Sequence, residues 1–171
     1  MVRLYRRRIA RVEYWEAWSD APGELLVHHG RAGERGVAER IAVAVGGADE
    51  RLAALTERQR RRGFREAEAC ELGLVLVQWP GERAHGELHG RAIAWMKEVL
   101  AWSGLGDYVG FDDSGDLTIM GEAIDPELAA DVLANELETS GLPTEALIIL
   151  SAVEDTIHWP PARRGERFDV P

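Results

Sequence analysis

The sequence predicts an α+β chain in two parts, a small antiparallel sheet crossed by one helix and then a βαββαβ arrangement. Three observations carry this. Period-2 alternation rich in aromatic residues runs through residues 2–45 and gives way to a single helical stripe. Beyond residue 72 compact apolar strands alternate with two helical stripes. The charge splits the same way: residues 1–67 hold 14 Arg against 10 Asp or Glu, a net +4, whereas residues 68–171 hold 6 Lys or Arg against 20 Asp or Glu, a net −14. The boundaries read from these patterns are a first domain over 1–67, a second over 68–160 and a tail over 161–171.

In the first part, residues 2–10 form a strand with imperfect alternation, and residues 11–18 set Val12, Tyr14, Glu16 and Trp18 on one face against Glu13, Trp15 and Ala17 on the other. Ser19-Asp20-Ala21-Pro22-Gly23 is a turn, so Glu24–His29 returns as a hairpin partner. Val37–Val45 is a third partner, ended by Gly46-Gly47. Asp49 caps a helix over about 50–62, with Leu52, Leu55 and Gln59 as its buried stripe and Gly63 as its stop. Phe64 belongs to the core, and Arg60-Arg61-Arg62 at the helix end are explained by the macrodipole ahead of a binding role.

The second part begins with the apolar strand Leu72–Trp79, stopped by Pro80-Gly81. A helix over 86–102 follows, its stripe read as Leu88, Ala92, Trp95, Val99 and Trp102. Residues 108–111 and 117–120 flank Asp112-Asp113-Ser114-Gly115-Asp116 as a hairpin. Asp125-Pro126 opens a second helix whose face is Leu128, Val132, Leu133 and Leu137. Ala146–Ile157 is a last strand too apolar for an open surface. Strand, helix, hairpin, helix, strand in this order is the ferredoxin-like pattern. The tail from Pro160 onward is an extension ordered only by contact.

The stretch between the third and fourth strands carries a resemblance. The run His29-Gly30-Arg31-Ala32-Gly33-Glu34-Arg35-Gly36 resembles the core of a WGR domain, an aromatic, Gly, Arg, an aliphatic, Gly, two variable residues and Gly. Tyr14-Trp15-Glu16-Ala17-Trp18 resembles the aromatic strand that precedes that signature, and Arg61-Arg62-Gly63-Phe64 the basic Gly-aromatic ending that follows the helix. His29 stands where the family has tryptophan, and Ala32 where it has a larger aliphatic residue. The family occurs in poly(ADP-ribose) polymerases and in bacterial proteins. The resemblance implies a non-enzymatic bacterial WGR-domain protein that contacts nucleic-acid ends, or a neighbouring domain, through the aromatic-Gly-Arg turn.

Composition narrows the classes. A 46% apolar fraction suits a folded core. No segment reaches the roughly 18 to 20 apolar residues of a membrane span, and the start lacks a signal-peptide core, so no membrane partner and a cytoplasmic location are expected. Cys70, the single cysteine, has no disulfide partner or metal-spaced companion. Catalytic residues and cofactors are expected to be none: there is no Gly-x-Ser-x-Gly elbow, and Gly30, Gly33 and Gly36 lack the spacing and the lysine of a P-loop. No metal site is expected either. His85 and His89 stand four apart, but Gly86 interrupts the helix start, and Asp112, Asp113 and Asp116 lack the later glutamate of a calcium loop.

The residues left with chemistry to offer are Trp15, His29, Gly30, Arg31, Arg35 and Arg40, with Trp18 beside them. Arginine clamps phosphate in two prongs, and an aromatic or imidazole face stacks on a base. The plainer alternatives are that the tryptophans are core and that Arg31 pairs with a carboxylate of its own domain. One Lys against 19 Arg also fits a GC-rich coding sequence. Two functions therefore stand. The first is an accessory or regulatory protein that meets DNA or RNA through the first domain. The second is a protein-protein interaction module whose acidic half docks a basic partner or a second copy.

Overall fold

The computed structural model describes residues 1–81, 87–151 and 155–168. The chain divides into two compact units, Met1–Glu68 and Ala69–Pro171, and its architecture is α+β with one antiparallel sheet in each.

The first unit comprises β1 (Val2–Arg8), β2 (Arg11–Ala21), β3 (Glu24–Arg31), β4 (Val37–Ala42) and α1 (Ala48–Arg61), with the strands side by side in chain order. Register places Leu4 opposite Trp15 and Ala17 opposite Val27. These four and Phe64 form the core under α1, with Ile41, Leu52 and Leu55 packed against it. Burying a side chain such as Leu4 contributes about 1.5–3 kcal/mol over leaving it in water. The next residues along each strand face away from α1, which sets Arg3, Tyr14, Glu16 and His28 on a common face.

Three local features differ from the sequence reading. The turn after β2 is shorter: the strand runs to Ala21, with a register irregularity around Asp20, and Pro22 and Gly23 alone reverse the chain. Proline fixes one turn position and Gly23 takes φ +83 at the next. β4 stops at Ala42, after which the chain turns through Gly46, at φ +84. Gly47, and not Asp49, occupies the cap of α1, without a side-chain hydrogen bond; Asp49 and Glu50 lie in the first turn, where negative charge meets the positive helix end.

The far end of α1 closes as the sequence suggests. Gly63 at φ +86 donates to the Arg60 carbonyl at 2.9 Å, and Phe64 donates to the Gln59 carbonyl at 3.1 Å. This paired closure satisfies carbonyls that the helix leaves open, and it drops Phe64 into the core. The next residue, Arg65, exchanges two backbone hydrogen bonds with Tyr5 of β1, at 2.7 and 2.9 Å.

The second unit comprises β5 (Gly73–Trp79), α2 (Glu87–Trp102), β6 (Gly106–Asp112), β7 (Leu117–Ala123), α3 (Pro126–Leu137), β8 (Leu147–Ser151) and β9 (Thr156–Trp159). Its sheet runs β6-β7-β5-β8-β9, every neighbouring pair antiparallel. The expected single strand over 146–157 is two strands. β8 pairs with β5 from Gln78 back to Leu74, and on its other side Ile149 pairs with Ile157 of β9. The residues that follow are tied to β9: Ile157 donates to the Glu166 carbonyl and Gly165 to the Ile157 carbonyl, both at 2.8 Å.

Asp125 caps α3 through a hydrogen bond from the Leu128 amide at 3.1 Å, with Pro126 in the first turn. On that helix Leu133 and Leu137 are buried as expected, together with Ala129, Ala130 and Ala134, whereas Leu128 and Val132 are half-buried. On α2 the buried stripe is Ala92, Met96 and Leu100, with Trp95 and Val99 beside it and Trp102 at its exposed edge. Two adjacent residues at helical spacing compete for the inward position, and the narrower side chains fit where α2 lies close to the sheet: a Cβ on Gly121 of β7 would stand 2.5 Å from Leu100. Among the described residues no helix is long and apolar enough to cross a membrane.

Candidate functional site

The glycine-rich turn between β3 and β4 owes its shape to three different demands. Gly33 takes φ +87, which other residues adopt only with strain. Gly30 and Gly36 meet backbone to backbone: a Cβ on Gly30 would stand 2.9 Å from the Gly36 Cα, and one on Gly36 would stand 2.0 Å from the Tyr14 hydroxyl and 2.5 Å from the His29 carbonyl. The turn is anchored again where the amide of the buried Ala32 donates to the Val12 carbonyl at 2.9 Å.

Tyr14 ties that turn to a buried polar chain that the sequence reading missed. The Gly36 amide donates to the Tyr14 hydroxyl, and the hydroxyl lies 2.9 Å from His28 Nε2. His28 Nδ1 lies 2.7 Å from Glu16 Oε1, and Arg3 Nε donates to Glu16 Oε2 at 2.7 Å. With the phenol as donor, His28 accepts at Nε2 and donates from Nδ1 to the carboxylate. Tyr14, Glu16 and His28 are at most 2% exposed. Burial, reinforced by the Glu16 charge, pushes the Tyr14 phenol up to about 12. Each member satisfies its neighbour, which is the condition for holding polar groups in a dry place. The signal available in the sequence was Tyr14 and Glu16 two residues apart on one strand face; the register of β2 against β3, needed to add His28, was not.

On the α1 side of the sheet lies a cavity of about 530 Å³. Six arginines reach it, Arg6, Arg11 and Arg31 from the strands and Arg51, Arg58 and Arg62 from the helix and its cap, against two glutamates, Glu13 and Glu39. The helical three are spaced by seven and four residues, one stripe along α1. Arg51 and Arg58 make no ion pair or side-chain hydrogen bond among the described residues. Arg6 is fixed: it donates to Glu13 at 2.7 Å and to the Arg62 carbonyl at 2.9 Å, and its guanidinium lies 4.5 Å over the Phe64 ring. Glu13 also receives Arg11 at 2.8 Å and Arg8 at 3.9 Å. Burial works to raise its carboxyl, but the hydrogen bond from Arg6 and the charges of Arg6, Arg11 and Arg8 outweigh it and hold it below the ordinary 4.5.

The expected site residues distribute unevenly around this cavity. His29, Gly30 and Arg31 line it. The His29 side chain is 43% exposed, with Nε2 3.6 Å from Glu39, and Arg31 holds Glu34 at 3.3 Å. Trp15 contributes to the lining but is 4% exposed and belongs to the core, so it offers no face on which a base could stack. Trp18 is half-buried and points away from α1 with Leu26. Arg35 and Arg40 do not line the cavity; Arg40 pairs with Asp20 and Glu24, each at 3.2 Å. The sequence reading therefore located the turn with Arg31, weighed Arg62 only as part of the basic helix end, and left out Arg6, Arg11, Arg51 and Arg58.

The second unit offers less. Asp112 acts within its turn, accepting from the Ser114 amide at 2.8 Å, whereas Asp116 accepts from the distant Gly81 amide, after β5, at 2.9 Å. His85 lies outside the described residues, and the His89 ring lies against Phe111, tilted by 58° with ring centres 4.4 Å apart. Among the described residues no three His, Cys, Asp or Glu side chains gather as a metal site. No family model matches the chain, and no curated protein or solved structure matches it significantly.

Proposed function

We propose that the first unit is a WGR-like module that binds nucleic acid by its phosphates, and that the protein is a non-enzymatic accessory or regulatory factor. The observation that carries this reading is the arginine-lined cavity: six guanidiniums from three strands and one helix meet two carboxylates, and two of the arginines have no internal partner among the described residues. A site of that composition favours an anion, and the planar guanidinium fits phosphate oxygens in pairs. The aromatic residues at its floor are buried, so binding reads the backbone and shows little preference among bases. The sheet order β6-β7-β5-β8 in the second unit supports a ferredoxin-like fold extended by β9.

The test is an anisotropy titration of labelled single-stranded DNA, duplex DNA and RNA with the full chain. If Arg31, Arg51 and Arg58 each neutralise one phosphate, the salt slope for a single strand is about −2, a loss of roughly 20-fold between 50 and 200 mM salt. Arg58→Ala should make that slope shallower by about 0.7. Binding that ignores salt, or no binding, refutes the reading.

A second reading, the protein-interaction module, is favoured by one observation. β6 is an edge strand, and Val109 and Phe111 on it are 51% and 42% exposed. An exposed edge pairs readily with another strand. Association that survives high salt and is lost on Val109→Lys would favour this reading over the first.

A further inference from the structure

The cavity already holds one anion of its own. Glu13 draws three guanidiniums within 4.0 Å while its side chain is only 16% exposed. The three are not held alike. Arg6 is 19% exposed and keeps two further contacts, to the Arg62 carbonyl and the Phe64 ring. Arg8 and Arg11 are 54% and 55% exposed, and among the described residues Glu13 is the one carboxylate that either meets. Exposed pairs of this kind are weak, because water and salt screen them and two long side chains must be ordered to form them.

Resting on the nucleic-acid reading above, we infer that Glu13 is a resident counter-ion occupying the place of a ligand phosphate, and that binding exchanges it: Arg11 and Arg8 leave the carboxylate for a phosphodiester while Arg6 stays. A phosphodiester carries the same single charge as the carboxylate, and the strand that bears it brings neighbouring charges that the carboxylate lacks. Arg31, Arg51 and Arg58 lie along the same cavity to receive those neighbours. Glu13 therefore lowers the affinity of the free groove and sets the length of strand needed to open it: a single phosphate gains little over the carboxylate, whereas a short strand gains the other arginines as well.

The experiment compares the wild type, Glu13→Gln, Glu39→Gln, Arg11→Ala and Arg58→Ala as full chains, with a labelled thymidine strand of about 10 nucleotides as probe. Thermal unfolding of each variant establishes that it is folded. Glu13→Gln keeps the shape of the side chain and removes its charge; it should bind roughly 3- to 10-fold tighter than wild type. Glu39→Gln, which frees no arginine, should change affinity less than 2-fold by the same screening argument. Arg11→Ala should weaken wild-type binding, since Arg11 passes to the ligand; this arm decides the matter if Glu13→Gln does not fold. A wild type that binds, is weakened by Arg58→Ala and is unaffected by Arg11→Ala, or gains equally from Glu13→Gln and Glu39→Gln, overturns the exchange and leaves the nucleic-acid reading standing. Absence of binding in both the wild type and Glu13→Gln overturns both.

Discussion

Replacing Tyr14 by phenylalanine removes one oxygen from the buried chain and leaves two groups without partners. His28 Nε2 loses its donor at 2.9 Å, and the Gly36 amide loses its acceptor. A buried group left unsatisfied costs about 1–3 kcal/mol. Relaxation of the turn recovers part of one of these costs, so the expected loss is about 2–4 kcal/mol. A second signature comes from the phenol. Its pKa is raised from 10.0 to about 12 in the folded chain. The folded state therefore holds the phenolic proton more tightly than the unfolded state, and that stabilisation is fully present below pH 10 and is lost as pH rises from 10 to 12. Two pKa units correspond to about 2.7 kcal/mol. Urea unfolding followed by tryptophan fluorescence reads both effects. With a slope of about 1.5–2 kcal/mol/M, Tyr14→Phe should lower the midpoint at pH 7 by about 1–2.7 M. Its decline between pH 10 and 12 should be shallower than that of the wild type. A midpoint within about 0.3 M of wild type, or an alkaline decline of equal steepness, would refute the buried chain as described.

Three further outcomes test the same unit. Gly36→Ala drives a methyl against the Tyr14 hydroxyl and the His29 carbonyl; it should cost at least about 3 kcal/mol in the same urea assay, since backbone cannot yield as a side chain does. Arg3→Ala leaves the Glu16 carboxylate, 2% exposed, with His28 as its remaining partner among the described residues, and should destabilise by about 3–5 kcal/mol, with Arg3→Lys recovering part of it. Glu13 has a lowered pKa, so its stabilising effect is present above its ordinary 4.5 and is lost as pH falls through the folded value; Glu13→Gln should flatten the acid limb of the stability profile below pH 4.5, measured by thermal unfolding.

What the sequence disclosed and what it withheld divide along a physical line. Gly63 followed by Phe64 ends α1 by a local rule, and Asp125 with Pro126 starts α3 by another; such features depend on a few consecutive residues and were legible. The glycine turn was legible for the same reason. The arginine cavity was not, because Arg6 and Arg11 reach Arg58 only once a hairpin and a helix have packed, although Arg51, Arg58 and Arg62 already formed a visible stripe. Register between strands decided the rest. It carries His28 to Tyr14 and Glu16, and it folds the apolar run after Ala146 into two strands that pair with each other, Ile149 with Ile157. Bulk misled on α2, where Ala92 was placed inward correctly but Trp95 and Trp102 were assigned the stripe that Met96 and Leu100 complete.

The two bonds between Tyr5 and Arg65, with Arg6 reaching the Arg62 carbonyl across 56 residues of chain, bring the beginning and the end of the first unit together. During synthesis its sheet can be assembled early, but the helix cannot be latched until residue 65 has left the ribosome, so completion waits for nearly the whole unit. Closure over so long a loop makes for slow folding. The same adjacency makes the unit suited to circular permutation: a short linker from residue 68 to residue 1, with new ends opened at the exposed Ile9-Ala10 turn, would preserve every strand pairing while turning the latch into a short-range contact near the new C-terminal end.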